Sequence, residues 1–214
     1  MSAPVVNRWT DASWAQRYLG ERDSIPHRVE GFQVLLELLP VAPRRVLDLG
    51  TGDGFTLGFV REARPGVVGV GLDFSVEMLE RARPRFAGEP DVEIVEHDLD
   101  EPLPAALGRF DLVVSSFAIH HCVDERKRAL YREVFELLDG GGSFFNLEHV
   151  ASPTPELHEA FLASLGKSLA EDDPSNKLVP VETQLEWFRE IGFAQVDCHW
   201  KWREMALLAG TKPA

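Results

Sequence analysis

The sequence predicts a doubly wound α/β fold, a mostly parallel seven-stranded sheet with helices on both faces and an antiparallel last strand. Two observations carry this. Short apolar runs alternate with helix-period segments from residue 46 to about residue 150, and the first run passes straight into a glycine-rich turn, Val46-Leu47-Asp48-Leu49-Gly50-Thr51-Gly52-Asp53-Gly54. A third lies at the far end, where two apolar runs separated by about two residues form a terminal hairpin and so bring one reversed strand into the sheet.

Taken in order, the first 25 residues carry Trp9, Trp14 and Tyr18 among polar residues and read as an appended amphipathic segment or lid. A helix starting near Ser24-Ile25-Pro26 would place Val29, Phe32, Leu35, Leu36 and Leu39 on one face, with Pro40 ending it. Val46 to Leu49 is the first strand. Phe55 to Arg64 is a helix stopped by Pro65-Gly66, Val67 to Asp73 the second strand, and Val76 to about Arg85 a helix capped by Ser75. Val92 to Val95 is the third strand and Phe110 to Ser116 the fourth. Asp124 opens a long helix with Leu130, Val134, Leu137 and Leu138 inward, closed by Gly140-Gly141-Gly142. Ser143 to His149 is the fifth strand, and Pro155 to Leu169 a helix with Leu157, Phe161, Leu162, Leu165 and Leu169 inward. Residues 171–183, with Asp172-Asp173-Pro174-Ser175-Asn176, read as a polar loop insertion. Thr183 and Glu186 read as a capping box for a helix over Gln184 to Ile191 that Gly192 terminates, and Phe193 to Trp200 and Trp202 to Ala209 are the hairpin.

The whole of 1–214 fits one domain, with 44% hydrophobic residues to form its core. A net charge of -13 disfavours nucleic acid, whose binders carry a basic stripe, and favours a small neutral or cationic substrate. Two cysteines, Cys122 and Cys198, without a C-x-x-C pair, give neither a metal nor a disulfide framework and fit a reducing cytoplasm. No apolar run approaches the ~18 residues of a membrane span. A homodimer through a sheet edge or the first 25 residues is compatible with the sequence.

Ligands of such sheets bind beyond the carboxyl ends of the strands, so Asp48, Asp73, Asp98, Ser116 and His149 are expected to converge on one crevice. Gly50, Gly52 and Gly54, with Thr51 between, allow positive φ and close approach of a ligand to the backbone. Their G-x-G-x-G spacing lacks the third spaced glycine of a dinucleotide fingerprint. Asp73 falls nineteen positions after Gly54, where an acid can accept from both ribose hydroxyls of an adenosine.

The D-x-G-x-G-x-G turn after a buried strand resembles the first motif of the class I S-adenosylmethionine (SAM) dependent methyltransferases. His97-Asp98-Leu99 matches the motif after their third strand, and Phe110 to His121 their fourth. Ser115 to His121, Gln184 to Phe193 and Val196-Asp197-Cys198 resemble the small type 11/12 group and the branch containing carboxy-SAM synthase. The resemblance implies SAM as cofactor and S-adenosylhomocysteine as by-product. It implies that Asp48 lies near the amino-acid end of SAM, Asp73 at the ribose, Asp98 at the adenine amino group with Leu99 on the base, Phe74 and Met78 as apolar cover, and Ser115 and Ser116 beside the methyl group.

Methyl transfer is an in-line displacement that needs positioning and exclusion of water, with a base only where the nucleophile arrives protonated. His120, then His149, then His121 are the bases expected, since imidazole can take a proton from a phenol, thiol or ammonium group. Glu148, His149 and Asp111 form an incomplete metal set. Arg203 is the nearest carboxylate-reading arginine, and Trp9, Trp14, Tyr18, Trp200 and Trp202 could wall a flat or cationic substrate. The expected activity is methyl transfer to an O, N or S nucleophile of a small molecule. The alternatives are a carboxy-SAM synthase-like or tRNA-modifying enzyme, and a catalytically silent SAM-binding protein.

Overall fold

The structure, a computed structural model, describes residues 25–214. The lid expectation for the first 25 residues, with Trp9, Trp14 and Tyr18, therefore lies outside the described residues apart from Ile25. Parallel strands β1 (Arg45–Leu49), β2 (Val68–Asp73), β3 (Val92–Glu96), β4 (Phe110–Ser116) and β5 (Leu138–His149) are followed by β6 (Ala194–Trp202) and β7 (Met205–Thr211). They form one sheet in the order β3-β2-β1-β4-β5-β7-β6, with β7 antiparallel to both neighbours. The chain reverses direction across the sheet between β1 and β4, so a crevice opens beyond their carboxyl ends.

Helices α1 (Arg28–Leu38), α2 (Phe55–Ala63), α3 (Val76–Arg85), α4 (Asp124–Leu137), α5 (Pro155–Ser164) and α6 (Val181–Ile191) flank the sheet. One cluster packs Leu47, Leu49 and Phe144 against Leu130, Tyr131 and Val134 of α4 and Phe188 of α6. The other packs Val46, Leu112 and Val114 against Phe32 and Leu35 of α1 and Leu57 and Val60 of α2. Both faces of β1 and β4 are covered, which is why their sequences read as unbroken apolar runs.

The differences from the sequence reading are local. In α1, His27 precedes the helix in a left-handed conformation (φ 61°) without a side-chain cap, and the buried face is Arg28, Gly31, Phe32 and Leu35. Val29 is 68% exposed and Leu36 37% exposed instead of inward. The three glycines after α4 do not end a helix ahead of a loop. They lie within β5, where Gly141 donates to the Lys212 carbonyl and Gly142 accepts from Lys212. Helix α5 stops at Ser164, before Gly166 (φ 70°), which leaves Leu169 beyond it and exposed, and Leu157 is exposed on the helix itself. Helix α6 begins at Val181 after Pro180, without a side-chain cap, so Thr183 and Glu186 form no capping box. The capping box here is Ser168 with Glu171, on a 3₁₀ turn.

Candidate active site

The crevice is a cavity lined by residues at or just beyond the carboxyl ends of β1, β2, β3 and β4, together with Arg28 of α1. Gly50, Thr51 and Gly52 come from the turn after β1, Asp73, Phe74, Ser75 and Met78 from the end of β2 and the start of α3. Asp98 and Leu99 follow β3, and Ser116, Phe117, Ala118 and His121 follow β4.

The glycine turn is shaped by the fold and by the space it leaves. Gly50 has φ 69°, and a Cβ there would lie 2.1 Å from the Ala118 Cβ, so glycine lets the two edge loops touch. Gly52 has φ 56°, and a Cβ there would meet nothing within 4 Å: it would occupy the cavity. Gly54 lines no part of the cavity and instead packs on the Phe86 ring.

Asp48 does not reach the crevice as expected. It is fully buried beneath the turn, where one carboxylate oxygen accepts from Thr51 Oγ1 (2.7 Å) and from the Leu57 backbone N–H (3.1 Å). It caps α2 from within the strand, because the helix follows a glycine that has no side chain to do so. Asp73 does line the cavity. Its two oxygens accept from the Gly52 N–H (2.8 Å) and the Ser75 N–H (2.9 Å), and each keeps further acceptor capacity. Asp98 accepts from the Asp100 N–H (2.9 Å) and is exposed at the cavity mouth. Strand alternation separates the two serines. Ser115 turns away from the cavity and donates to the Leu49 carbonyl (2.8 Å), whereas Ser116 lines it with its hydroxyl buried and without a hydrogen-bond partner among the described residues.

The histidines are sorted by the 3₁₀ turn at Ile119–His121. His121 lines the cavity, and its Nδ1 lies 3.1 Å from Ser175 Oγ. His120, the first-ranked base of the sequence reading, is buried behind it, Nδ1 2.6 Å from Glu148 Oε1. Burial holds its imidazole well below the ordinary histidine range. His149 lines no part of the cavity either, and its Nε2 lies 2.9 Å from Glu204 Oε2. Both rings are tied to carboxylates in the interior, and consecutive residues of a tight turn cannot all face one crevice.

A tight glycine turn and an acid at the end of β2 thus meet on one cavity. Residues 46–142 match a family model described as a methyltransferase domain. The chain is 32% identical over 192 residues to a demethylmenaquinone methyltransferase of Clavibacter sepedonicus, covering 82% of this chain and 76% of that one. The chain belongs to the class I SAM-dependent methyltransferases. The methyltransferase is also 23% identical over 168 residues to a carboxy-S-adenosyl-L-methionine synthase of Trichodesmium erythraeum, covering 72% of this chain and 66% of that one. Its fold matches human N-acetylserotonin methyltransferase, solved in complex with SAM, at a TM-score of 0.70 and 16% identity, covering 99% of this chain and 61% of that one. The chain thus spans about two thirds of the length of these last two proteins.

Several residues of the methyltransferase's cavity escaped the sequence reading. Arg28 lines it, with its guanidinium 5.3, 5.6 and 5.4 Å from the Phe32, Phe55 and Phe117 ring centroids. Phe32 lies one turn along α1 from Arg28, but Phe55 opens α2 and Phe117 follows β4, so the local pattern does not announce the box. Arg203 sits instead at the β6–β7 turn, donating to the Ala160 carbonyl (2.6 Å), and is no part of the lining. Trp200 and Trp202 pack near Phe161 and Met205, away from the cavity. Asp111 lies at the start of β4, across the sheet from Glu148 and His149, where it accepts from the Arg44 and Arg45 backbone N–H groups. Cys122 lines the cavity as a thiol, pushed up to about 12 by burial.

Asp48 gives the site a pH signature. Burial raises its carboxyl from 3.8 to about 7, against the Thr51 and Leu57 hydrogen bonds that lower it. The folded form therefore keeps a proton that the unfolded chain has lost, and this contribution to stability, full at low pH, disappears as pH rises through about 7. Asp48→Asn does not titrate. The unfolding free energy of the variant relative to wild type is expected to rise by about 3 kcal/mol between pH 5 and pH 8. Urea denaturation of both proteins at the two pH values measures it, and a flat difference would refute the buried, protonated Asp48.

Proposed function

We propose that the protein binds SAM in this cavity and transfers its methyl group to a small-molecule nucleophile that arrives protonated, a hydroquinone or phenol in first place, with His121 taking the proton. The observation that carries this reading is the meeting, on one cavity, of the Gly50–Gly52 cradle, Asp73, Asp98 and His121. The lining fits the cofactor. The space beside Gly52 admits a ligand against the backbone, Asp73 has acceptor capacity left for ribose hydroxyls, and the Ser116 hydroxyl has no partner among the described residues. Asp53, Asp73, Asp98 and Asp100 against Arg28 as the arginine or lysine of the lining make a field suited to a cationic sulfonium. SAM, when bound, supplies an electrophilic methyl on that sulfonium.

The chain's residues do the rest. Asp73 and Asp98 hold the nucleoside, Leu99 and Met78 give it apolar cover, and Arg28 takes the carboxylate of the amino-acid end. Phe55 and Phe117 exclude water from the reacting end. Burial keeps the His121 imidazole neutral, well below the ordinary histidine range, so it is ready to accept a proton at neutral pH. The relative named a demethylmenaquinone methyltransferase supports an aromatic acceptor of the quinone class, of which a hydroquinone is the reduced, protonated form.

Arg28 also favours a second reading. A cavity arginine able to read a carboxylate, together with the likeness to a carboxy-SAM synthase, fits a carboxylated form of the cofactor. The test is release of S-adenosylhomocysteine from SAM on presentation of hydroquinones, phenols, thiols and amines. The expected result is turnover with the hydroxylated aromatics. No turnover with any class, together with a carboxylated SAM recovered from purified protein, would replace the first reading with the second.

A further inference from the structure

We propose that Ser175 and Asp173, from the polar loop after α5, fix the tautomer of His121 and so make its Nε2 the proton acceptor at the cavity. This rests on the reading of His121 as the base, and it follows from counting one proton. Asp173 Oδ1 accepts from Ser175 Oγ–H (2.8 Å) and from the Ser175 backbone N–H (2.9 Å). A carboxylate has no hydrogen to give, and a serine hydroxyl has only one. With that hydrogen committed to Asp173, Ser175 Oγ can only accept from His121 Nδ1, 3.1 Å away. The neutral ring then carries its hydrogen on Nδ1 and its basic lone pair on Nε2.

The surroundings make this arrangement persistent. Ser175 is 2% exposed, so water does not compete for its hydroxyl. The loop is clasped to the histidine turn at two further points: the Lys177 backbone N–H donates to the His120 carbonyl (2.9 Å), and Lys177 Nζ donates to the His121 carbonyl. Asp173 also opposes the loss of basicity that burial imposes on His121, and so favours the imidazolium formed when the proton is taken. Residues 171–183, read from sequence as an insertion, thereby serve as the support of the base. Ser175 and Asp173 act through His121 and are positioning residues. The Nδ1 edge of the ring faces Ser175, which is not among the residues lining the cavity.

The test is the imidazole ¹⁵N spectrum of histidine-labelled protein near pH 7.5, with the His121 signals identified by their loss in His121→Asn. In wild type the expected pattern is a protonated Nδ1 and an unprotonated Nε2. In Ser175→Ala the pattern should move toward the Nε2-protonated form, and in Ser175→Thr, which keeps a hydroxyl, it should stay as in wild type. A wild-type His121 protonated on Nε2, or a pattern unmoved in Ser175→Ala, would overturn the proposal. The wild-type tautomer needs only the assignment of the His121 signals, so the test stands even where Ser175→Ala does not fold. Titration with SAM separates this from the underlying reading, because wild type and Ser175→Ala should bind it alike. Absence of SAM binding in both would remove the methyl-transfer site and leave the tautomer to be judged on its own spectrum.

Discussion

Asp73→Ala is expected to bind SAM at least about 100-fold more weakly than wild type. Hydrogen bonds to a charged group contribute about 1.5 to 3 kcal/mol each, and a ribose offers two hydroxyls to this carboxylate. Two such bonds amount to about 3 kcal/mol at the low end, and each 1.4 kcal/mol is a factor of ten. The loss is compounded within the protein. Asp73 also accepts from the Gly52 and Ser75 N–H groups, so its removal loosens the glycine turn and the first turn of α3 together. Asp73→Asn keeps the size of the side chain and one oxygen, and should fall between wild type and Asp73→Ala. Calorimetric titration of the three proteins checks the order. Equal affinity for wild type and Asp73→Ala would remove Asp73 from the nucleoside site.

His121→Ala is expected to lower the rate of the chemical step by about 100-fold or more, the usual contribution of a positioned general base. SAM affinity should change little by comparison, because His121 belongs to the reacting end of the cavity. The pH profile carries a sign as well. A base acts only when unprotonated, and burial, reinforced by the neighbouring His120, holds the His121 imidazole below its ordinary range. The wild-type rate should therefore stay level as pH falls through 6.5, the ordinary histidine value, and decline only further into acid. Single-turnover rates from pH 5 to pH 8 measure it. A rate that halves near pH 6.5, or a variant as fast as wild type, would assign the proton transfer elsewhere.

The sheet was legible in the sequence because both faces of its central strands are covered. Leu47, Leu49, Val113 and Val114 had to be apolar regardless of which helix met them, and the glycine turn marked the carboxyl edge. The place of Gly50, Gly52, Asp73 and Asp98 on the cavity was legible for a related reason: each lies at or just beyond the end of a strand, so chain position already implies place. Asp48 and Ser115 also lie at that edge, but the pleat turns their side chains inward, to the N-terminus of α2 and to the Leu49 carbonyl. Neighbouring residues of one motif thus divided between lining the cavity and bracing the turn beneath it.

The acceptor side was less legible. His120 and His121 are identical in type and adjacent in sequence, and only the 3₁₀ turn decides which meets Glu148 and which the cavity. Arg28 depends on Phe32, Phe55 and Phe117 arriving from three separate segments. The stretch Asp172-Asp173-Pro174-Ser175 carries turn-forming residues and reads as solvated, yet Ser175 is buried against His121, a contact 54 residues away along the chain. Local composition reports on turn geometry and is silent about such partners.

We propose the cavity at the carboxyl edge of β1, β2 and β4 as a SAM site. Calorimetric titration of the purified protein with SAM, paired with mass spectrometry of the small molecules it releases on denaturation, tests that claim directly. One-site binding, or recovery of SAM or S-adenosylhomocysteine already held by the protein, is the expected result. A protein that releases no adenosyl compound and takes up no SAM would contradict it.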